Sequence, residues 1–383
     1  MKSLTYLWSC IANEMAIRCC TSATRDIKTV TCRFEHEGLS FLAITLADYG
    51  KVTQKWLDRG FVVPSEAAAF KLKPHTGLPA FLSGFLERVF DPCSGVLLDE
   101  PDIEAILAIR QLTLMFSKIA LPNHSERNEN LGVDRKVVSE DRERRAMSEF
   151  VQCEQDVRAA DARLDPEFLR DFKRMSAMLF GDLFSKVDRD VYWGRNVPKH
   201  GPGTVADRLS SNAKWDQRTW TARLSKVFDP ASVLYPNGHF VDRMDEDLNI
   251  LEPEAEIPVR VITVPKTLKT PRIIAIEPAV MQYMQQAVLR NILSAIKEDS
   301  FLHRVVGFDD QDPNRELACE GSHSGDLATL DLSEASDRVS NQHVLAMLED
   351  WPHLCEAVQS TRSRKADVPG HGVLRLAKFA SMG

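Results

Sequence analysis

Apolar residues recur at helical spacing through much of the first half of the chain. The run from Leu78 to Val89 places large apolar side chains three and four residues apart, as in a helix with one buried face. The same spacing returns from Phe168 to Leu183, after an Asp165-Pro166 pair that favours a helix start. The pattern predicts mostly helical structure from about residue 77 to about residue 187.

Short apolar runs predict strands at three other places. Leu39–Leu46 is one such run, and a turn-like Ala47–Gly50 follows it. Val259–Val264 and Arg272–Ile276 are rich in β-branched residues and flank a short basic turn, which predicts a hairpin. Leu327–Leu332 follows a glycine- and serine-rich turn and is predicted to be a buried strand.

Helical spacing returns on either side of this last strand. Glu277-Pro278 is followed by apolar Met281, Met284, Val288 and Leu289, which predicts a helix. Ser333 is a candidate cap for a helix that begins at Glu334. An amphipathic helix with apolar Val344, Leu345, Leu348 and Trp351 then follows. Both helices and strands are predicted, which is consistent with an α+β fold.

Composition narrows the class of protein only a little. The chain has 383 residues, 44% of them hydrophobic, and a formal net charge of −7. An acidic total does not exclude nucleic-acid binding, because a binding channel needs only a local basic surface. The eight cysteines form no CxxC pair, which favours free thiols in a reducing compartment. No uncharged run of about 18 residues is present, so no membrane association is predicted.

Two carboxylates near residue 331 are candidates for metal chemistry. Asp331 lies near the end of the predicted strand, and Asp337 follows it by six residues. Carboxylate oxygens at a strand end suit a hard divalent cation and a hydroxyl ligand. The alternative is structural: Ser333 and Asp337 shape a helix start, and Asp331 ends a strand.

Two basic segments are candidates for phosphate and RNA binding. The predicted hairpin carries Arg260, Lys266, Lys269 and Arg272, a density of cations suited to a triphosphate and its pyrophosphate leaving group. The loop Asn196–Val205 combines glycines with basic residues and precedes Trp215 and Trp220, which suits a single strand. The alternatives are a charged exposed hairpin, and a surface loop whose tryptophans belong to the core.

Three stretches, in order along the chain, resemble the RNA-directed RNA polymerases of single-stranded RNA bacteriophages, the levivirus replicases. Asp331-Leu-Ser-Glu-Ala-Ser-Asp337 resembles their palm motif A, with Glu334 where a serine is expected. Arg260–Pro278 and Lys199-His-Gly-Pro-Gly203 resemble segments of their fingers, the first of them motif F. Phe379-Ala-Ser-Met-Gly383 resembles the first half of motif B.

The resemblance implies a right-hand polymerase, here the fingers and the start of the palm. Residues 1–190 would be a mostly helical region associated with the fingers, 191–320 the fingers with the basic loop and hairpin, and 321–383 the palm start. Gly307-Phe-Asp-Asp310 imitates the Gly-Asp-Asp of motif C but precedes motif A, so no catalytic role is assigned to it. We expect motif C and the thumb to lie beyond Gly383, and the 383-residue chain to be inactive alone.

The resemblance also implies a set of roles. Asp331, with the backbone carbonyl of Leu332, would bind the metal in a reaction that uses two Mg²⁺ or Mn²⁺ ions. Asp337 and Ser381 would contact the ribose of the incoming nucleotide. The four hairpin cations would bind its triphosphate. The RNA-contact candidates are Lys199, His200, Gly201 and Gly203.

The implied partners are an RNA template and product, ribonucleoside triphosphates, and host translation factors with a ribosomal protein. The implied location is the cytoplasm of a bacterial host. The alternative is a non-catalytic single-stranded RNA-binding protein, which the two basic segments would also satisfy. A phosphotransferase with a P-loop is disfavoured, because the chain has no GxxxxGK[ST] motif.

Overall fold

The fold combines long helices with two small sheets, as the predicted α+β class requires. A computed structural model describes residues 2–119, 135–209, 212–234, 248–264, 271–308, 310–330, 332 and 334–381. The chain divides into two compact units, Met1–Glu143 with Val264–Arg272, and Arg144–Thr263 with Ile273–Gly383.

The first unit is built from helices around an aromatic core. Its helices are α1 (Lys2–Arg18), α2 (Thr24–Glu37), a π-helix (Phe41–Thr45), α3 (Leu46–Arg59), a 3₁₀ turn (Pro64–Ala67), α4 (Ser83–Leu86) and α5 (Ile103–Leu114). The buried Trp8 indole donates to the Leu112 carbonyl at 2.8 Å, and the Tyr49 hydroxyl donates to the Phe81 carbonyl at 3.1 Å. These bonds satisfy the polar atoms of side chains whose rings fill the core.

The predicted strand at Leu39–Leu46 is wrong, because this run is helical. It forms the π-helix and the start of α3, with Phe41, Leu42 and Leu46 fully buried. A short apolar run that is buried on several sides has the same composition in a helix as in a strand. The helix predicted from the run Leu78–Val89 is mostly wrong, because only Ser83–Leu86 is helical there. Residues 77–82 and 87–102 form turns, bends and isolated bridges.

The second unit packs helices on one another and on a four-stranded sheet. The helices before the sheet are α6 (Arg135–Asp161), which enters this unit at Arg144, α7 (Pro166–Tyr192), a 3₁₀ turn (Ala213–Trp215), α8 (Ala222–Ser225) and α9 (Pro230–Leu234). Those after its first two strands are α10 (Ala279–Glu298), α11 (Leu302–Val305), α12 (Asp312–Ser324), α13 (Ala335–Arg338), α14 (Asn341–Leu348) and α15 (Pro352–Thr361).

The strands of this unit form two sheets. The strands are β1 (Thr219–Thr221), β2 (Asn249–Leu251), β3 (Val259–Val264), β4 (Arg272–Ile276), β5 (Lys365–Val368) and β6 (Gly372–Arg375). β1 and β2 pair in parallel, and the larger sheet has the order β4-β3-β5-β6, with β3 parallel to β5 and β5 antiparallel to β6. Met147 and Phe150 of α6 pack on the buried face of the larger sheet.

Several predicted elements of this unit are confirmed. The Asp165 carboxylate caps α7 by accepting from the Glu167 amide at 2.8 Å, with Pro166 at the first helical position. β3 and β4 occupy the predicted hairpin strands, although the turn at residues 265–270 lies outside the described residues. The predicted helices after Pro278 and after Asp337 are α10 and α14.

The predicted buried strand at Leu327–Leu332 is wrong for the residues that the structure describes there. Residues 326–330 are irregular, and Leu330 and Leu332 are 86% and 75% exposed. A strand needs a neighbour for its backbone N–H and C=O groups, and no described strand pairs with this segment. Asp331 and Ser333 lie outside the described residues.

No described helix is both long enough and apolar enough to span a bilayer.

Candidate functional site

The two motif-like segments near the end of the chain lie side by side. The Phe379 amide donates to the Val339 carbonyl at 2.7 Å, and the Asn341 amide donates to the Ala377 carbonyl at 3.0 Å. Ser340 and Lys378 form an antiparallel bridge between these two bonds. The structure therefore pairs the residues that follow the predicted motif A with residues 377–379, where the predicted motif B begins. We call the two segments that contain these pairs, 334–341 and 376–381, the A–B junction.

One buried arginine holds the carbonyl groups of the junction. The Arg362 guanidinium donates to the Leu376 and Phe379 carbonyls at 2.9 Å each and to the Lys378 carbonyl at 2.7 Å. Burial lowers the pKa of Arg362 to about 10, which still leaves the guanidinium protonated at neutral pH. An irregular buried segment needs such donors, because it has no helix or sheet ladder to satisfy its carbonyls.

A buried glutamate of α6 holds the amide groups of the same segment. Glu154 is 3% exposed and accepts from the Ala377 amide at 2.5 Å and from the Lys378 amide at 3.4 Å. Arg158, one turn further along α6, forms an ion pair with this carboxylate at 3.1 Å. Residues 376–379 are thus fixed from both sides by opposite charges.

Lys378 connects the junction to the predicted ribose-binding residue. Its ammonium, which is fully buried, donates to Asp337 Oδ1 at 2.9 Å. The same ammonium lies 3.3 Å from the centre of the Phe150 ring, a cation–π contact. One oxygen of the Asp337 carboxylate is therefore already engaged within the protein, and its side chain is 24% exposed.

The other residues predicted near motifs A and B have mixed outcomes. Asp331 lies outside the described residues, and Leu332 is largely exposed. The Ser381 hydroxyl oxygen is buried and has no hydrogen-bond partner in the described part of the chain. Glu334 forms an ion pair with Arg338 at 2.9 Å, so its carboxylate points along α13. Within the described ranges, no group of three or more metal-ligating side chains occurs.

The structure describes two of the four predicted triphosphate-binding cations. Arg260 is on β3, in register with Asp367 of β5, and its Nε is buried without a partner among the described residues. Arg272 begins β4 and is exposed. Lys266 and Lys269 lie in the turn outside the described residues.

Buried side-chain contacts hold the conformation of the predicted RNA-contact loop. Lys214, which lies in the 3₁₀ turn after this loop, is buried and donates to the Gly201 carbonyl at 3.1 Å and to the Gly203 carbonyl. The His200 ring stacks on Tyr283, with ring centres 4.3 Å apart, and meets the Trp215 ring edge-on at 5.0 Å. Burial and the Lys214 charge lower the pKa of His200, which favours the neutral ring. Lys199 is exposed.

A second group of buried charges lies beside the sheet. Arg223 pairs with Glu256 through two bonds of 2.6 and 2.9 Å and also donates to the Arg362 carbonyl at 2.9 Å. Glu277 accepts from the Ser363 hydroxyl at 2.5 Å, and burial raises the pKa of Glu277 to about 7. Hydrogen bonds from Ser363 and Gln285 oppose that rise without cancelling it.

Sequence reasoning missed most of this support for the junction. Arg362, Glu154, Lys378 and Glu256 belong to no motif, and each looks like an ordinary surface charge in the sequence. Glu277 lies near the end of the stretch that resembles motif F, but no role was predicted for it. A weak signal exists at Lys378, which stands alone among small and apolar neighbours in Leu376-Ala-Lys-Phe-Ala380.

Comparisons with known proteins bear on this part of the chain. Residues 247–383 match the family described as "RNA replicase, beta-chain". The chain is 27% identical over 274 residues to the RNA-directed RNA polymerase subunit beta of Escherichia virus Qbeta, a match that covers 66% of this chain and 41% of that relative. It is 37% identical over 125 residues to the corresponding subunit of Enterobacteria phage SP, which covers 32% of this chain and 20% of that relative.

A third relative supports the same conclusion. The RNA-directed RNA polymerase beta chain of Escherichia phage MS2 is 38% identical over 125 residues, which covers 32% of this chain and 21% of that relative. These matches confirm the resemblance to the RNA-phage replicases that the motifs predicted. The chain spans less than half the length of each of these curated relatives.

The Asp337–Lys378 pair predicts an asymmetric response to mutation. Asp337→Asn leaves a fully buried ammonium without its counter-charge, so we expect it to lower the free energy of unfolding by about 3 kcal/mol. Lys378→Met leaves a partly exposed carboxylate that water can reach, so its cost should be smaller. The double variant should recover much of the Asp337→Asn loss. Urea unfolding of the 383-residue chain measures all three, and equal losses in the two single variants would contradict the assignment.

Glu277 predicts a pH dependence of stability. Its folded pKa of about 7 is above the unfolded value, so the folded state holds the proton more tightly. Its favourable contribution is present below about pH 4.5 and is lost as the pH rises through about 7. Glu277→Gln should be nearly neutral at pH 4.5 and stabilising by roughly 1 to 3 kcal/mol at pH 8.

Thermal or urea unfolding at a series of pH values measures this difference. Glu316→Gln, which changes an exposed carboxyl group on α12, is the matched control and should show no such trend. A Glu277→Gln effect that is constant across the pH range would contradict the raised pKa.

Proposed function

We propose that the chain contributes motif F, motif A and the first half of motif B to an RNA-directed RNA polymerase that copies a single-stranded RNA phage genome. The observation that carries the proposal is the A–B junction, in which Asp337 of the predicted motif A forms an ion pair with the buried Lys378, the residue directly before the predicted motif B. The junction lies within the residues that match the replicase beta-chain family. A right-hand arrangement of fingers and palm is part of the same proposal.

The proposed metal-binding residue is Asp331. Its carboxylate and the backbone carbonyl of Leu332 are hard oxygen donors, the type that Mg²⁺ and Mn²⁺ prefer. When bound, two divalent ions in such a site acidify the attacking hydroxyl and neutralise charge on the leaving pyrophosphate. Asp331 and Leu332 supply only some of the ligands that two ions require, and the chain has no Gly-Asp-Asp after residue 331. We therefore propose that the 383-residue chain does not polymerise RNA alone.

The proposed role of Asp337 is to select ribonucleotides by accepting a hydrogen bond from the ribose 2′-hydroxyl. Lys378 holds Oδ1, which restricts the rotation of the carboxylate, while the other oxygen remains for a ligand. The buried Ser381 hydroxyl, which lacks a partner in the described structure, is a second candidate donor to the nucleotide. Lys378 is in this scheme a positioning residue.

The proposed triphosphate site is the basic hairpin. Arg260 keeps one guanidinium nitrogen without a partner among the described residues, and Arg272 is exposed at the start of β4. Together with Lys266 and Lys269 they would supply the positive charge that an incoming triphosphate requires.

The proposed RNA contacts of the loop fall on its exposed groups. Lys199 and Trp215 face solvent, whereas His200 packs on Tyr283, and the Gly201 and Gly203 carbonyls hold the Lys214 ammonium. We propose that His200, Gly201 and Gly203 contribute to RNA contact by setting the conformation of the loop. RNA template and ribonucleoside triphosphates are the proposed ligands, in the cytoplasm of a bacterial host, with host translation factors and a ribosomal protein as proposed partners.

A second candidate function is non-catalytic binding of single-stranded RNA. The exposed tryptophan at 215, beside basic residues, favours it independently of any catalytic residue. The two functions differ in their dependence on Asp331, because a binding protein needs no metal-binding carboxylate there.

We expect Asp331→Asn to abolish template-directed RNA synthesis. The test uses the protein encoded by the complete reading frame of the parent RNA, with radiolabelled ribonucleotides and Mg²⁺. Loss of a carboxylate that stabilises the transition state should reduce the rate by at least about 100-fold. Asp326→Asn, five residues upstream at an exposed position, is the matched control and should retain activity. Undiminished synthesis by the Asp331→Asn protein would refute the assignment.

A further inference from the structure

The chain segment before the RNA-contact loop runs antiparallel to α10. Lys186 forms an ion pair with Glu298 at 2.6 Å, near the end of this helix. The carbonyls of Arg195 and Val197 accept from Asn291 and Arg290, nearer its middle. His200 stacks on Tyr283, and Asp207 accepts from the Ala279 amide at 2.6 Å, near its beginning.

This antiparallel path along α10 has exposed aromatic side chains at two places. Tyr192 and Trp193 are 61% and 66% exposed, at the end of α7, and Trp215 is 75% exposed, beside His200. The α10 contacts at residues 291 and 283 are eight residues apart, or roughly 12 Å along a helix. That separation corresponds to a few nucleotides of an extended strand.

The aromatic rings at the α7 end are braced rather than loose. Tyr192 meets Trp193 edge-on at 5.1 Å and lies against His353 at 4.9 Å. Lys186, Arg189, Asp190, Trp193 and Arg195 line an open hollow of about 340 Å³ next to them. Because the Tyr192 ring restrains the Trp193 indole at the rim of this hollow, the indole can stack on a planar ligand without a large loss of side-chain entropy.

The charge along this path is positive although the whole chain has a net charge of −7. Five basic side chains lie on it: Lys186, Arg189, Arg195, Lys199 and Arg290. In the described part of the chain, the carboxylates that pair with them are Glu298, bound to Lys186, and Asp190, which is 3.4 Å from Arg195. The excess of cations over these two carboxylates suits a polyanion.

We propose that Arg189, Tyr192, Trp193, Arg195, Lys199 and Trp215 form one continuous binding track for single-stranded RNA. The cations contact successive phosphates, and Trp193 and Trp215 stack on bases a few nucleotides apart. Single strands fit this combination because their bases are free to stack, whereas a duplex keeps its bases paired. The track extends the proposed RNA-binding loop to the end of α7 and does not depend on catalysis.

The test measures binding of a labelled oligouridine of about 12 nucleotides to the 383-residue chain by fluorescence anisotropy. EDTA is present and nucleotides are absent, so polymerase chemistry makes no contribution. Trp193→Ala should weaken binding by about 5- to 100-fold, as expected for one lost base stack, whereas Trp193→Phe should stay within about 3-fold of the wild type. Tyr6→Ala, which removes an exposed aromatic ring in the other unit, should leave binding unchanged.

The salt dependence of RNA affinity tests the contribution of the basic side chains of the track. Arg195→Gln and Lys199→Gln should each lower the slope of log affinity against log salt concentration by about 0.7 if each cation contacts one phosphate. Urea unfolding of every variant checks that a loss of binding is not a loss of folding, and Trp193→Phe supplies a folded comparison if Trp193→Ala unfolds.

Several results would overturn the proposal. They are wild-type binding too weak to detect, equal affinity of wild type and Trp193→Ala, equal weakening by Tyr6→Ala, and tighter binding of a duplex or of a protein partner than of the single strand. Asp331→Asn should bind the oligouridine normally. Undiminished RNA synthesis by the complete protein with Asp331→Asn, together with intact Trp193-dependent binding, would therefore count against the polymerase proposal and not against the track.

Discussion

Three carbonyl groups between Leu376 and Phe379 accept hydrogen bonds from one buried guanidinium, that of Arg362. Each carbonyl would cost about 1 to 3 kcal/mol if it were buried without a donor. Arg223 in turn donates to the Arg362 carbonyl and is held by Glu256, so the position of Arg362 depends on a second buried ion pair. These charges fix the conformation of the irregular segment that brings Lys378 to Asp337, because another conformation would leave buried carbonyl groups without hydrogen-bond donors.

Helical spacing, caps and β-branched runs predicted several elements of the second unit, but missed most of its short helices and the strands β1, β2, β5 and β6. Asp165-Pro166, the two hairpin strands and the helix after Pro278 follow from local sequence, since each is encoded by a cap or a periodicity within a few residues. Leu39–Leu46 was predicted wrongly, because its burial on several sides removes the periodicity that separates helix from strand.

The sequence predicted residues of the candidate site only where they belong to a recognisable motif. The motif resemblance identified Asp337, but its partner Lys378 is 41 residues away and becomes a neighbour only through the Ser340–Lys378 bridge. Contacts of this kind depend on tertiary pairing, which local propensity does not encode. The inward orientation of His200 was equally hidden, because the histidine stacks on a tyrosine that is 83 residues further along the chain.

We propose that these motifs serve nucleotidyl transfer in a replicase, and the sequence of the parent RNA beyond the codon for Gly383 is the sharpest test of that proposal. The chain covers 41% of the Qbeta relative, and the account predicts that the reading frame continues. It should encode, within several dozen residues, an apolar run, a Gly-Asp-Asp turn and a second apolar run, which together supply the missing metal ligands. A stop codon directly after Gly383 in an intact genome would contradict the account and leave RNA binding as the function.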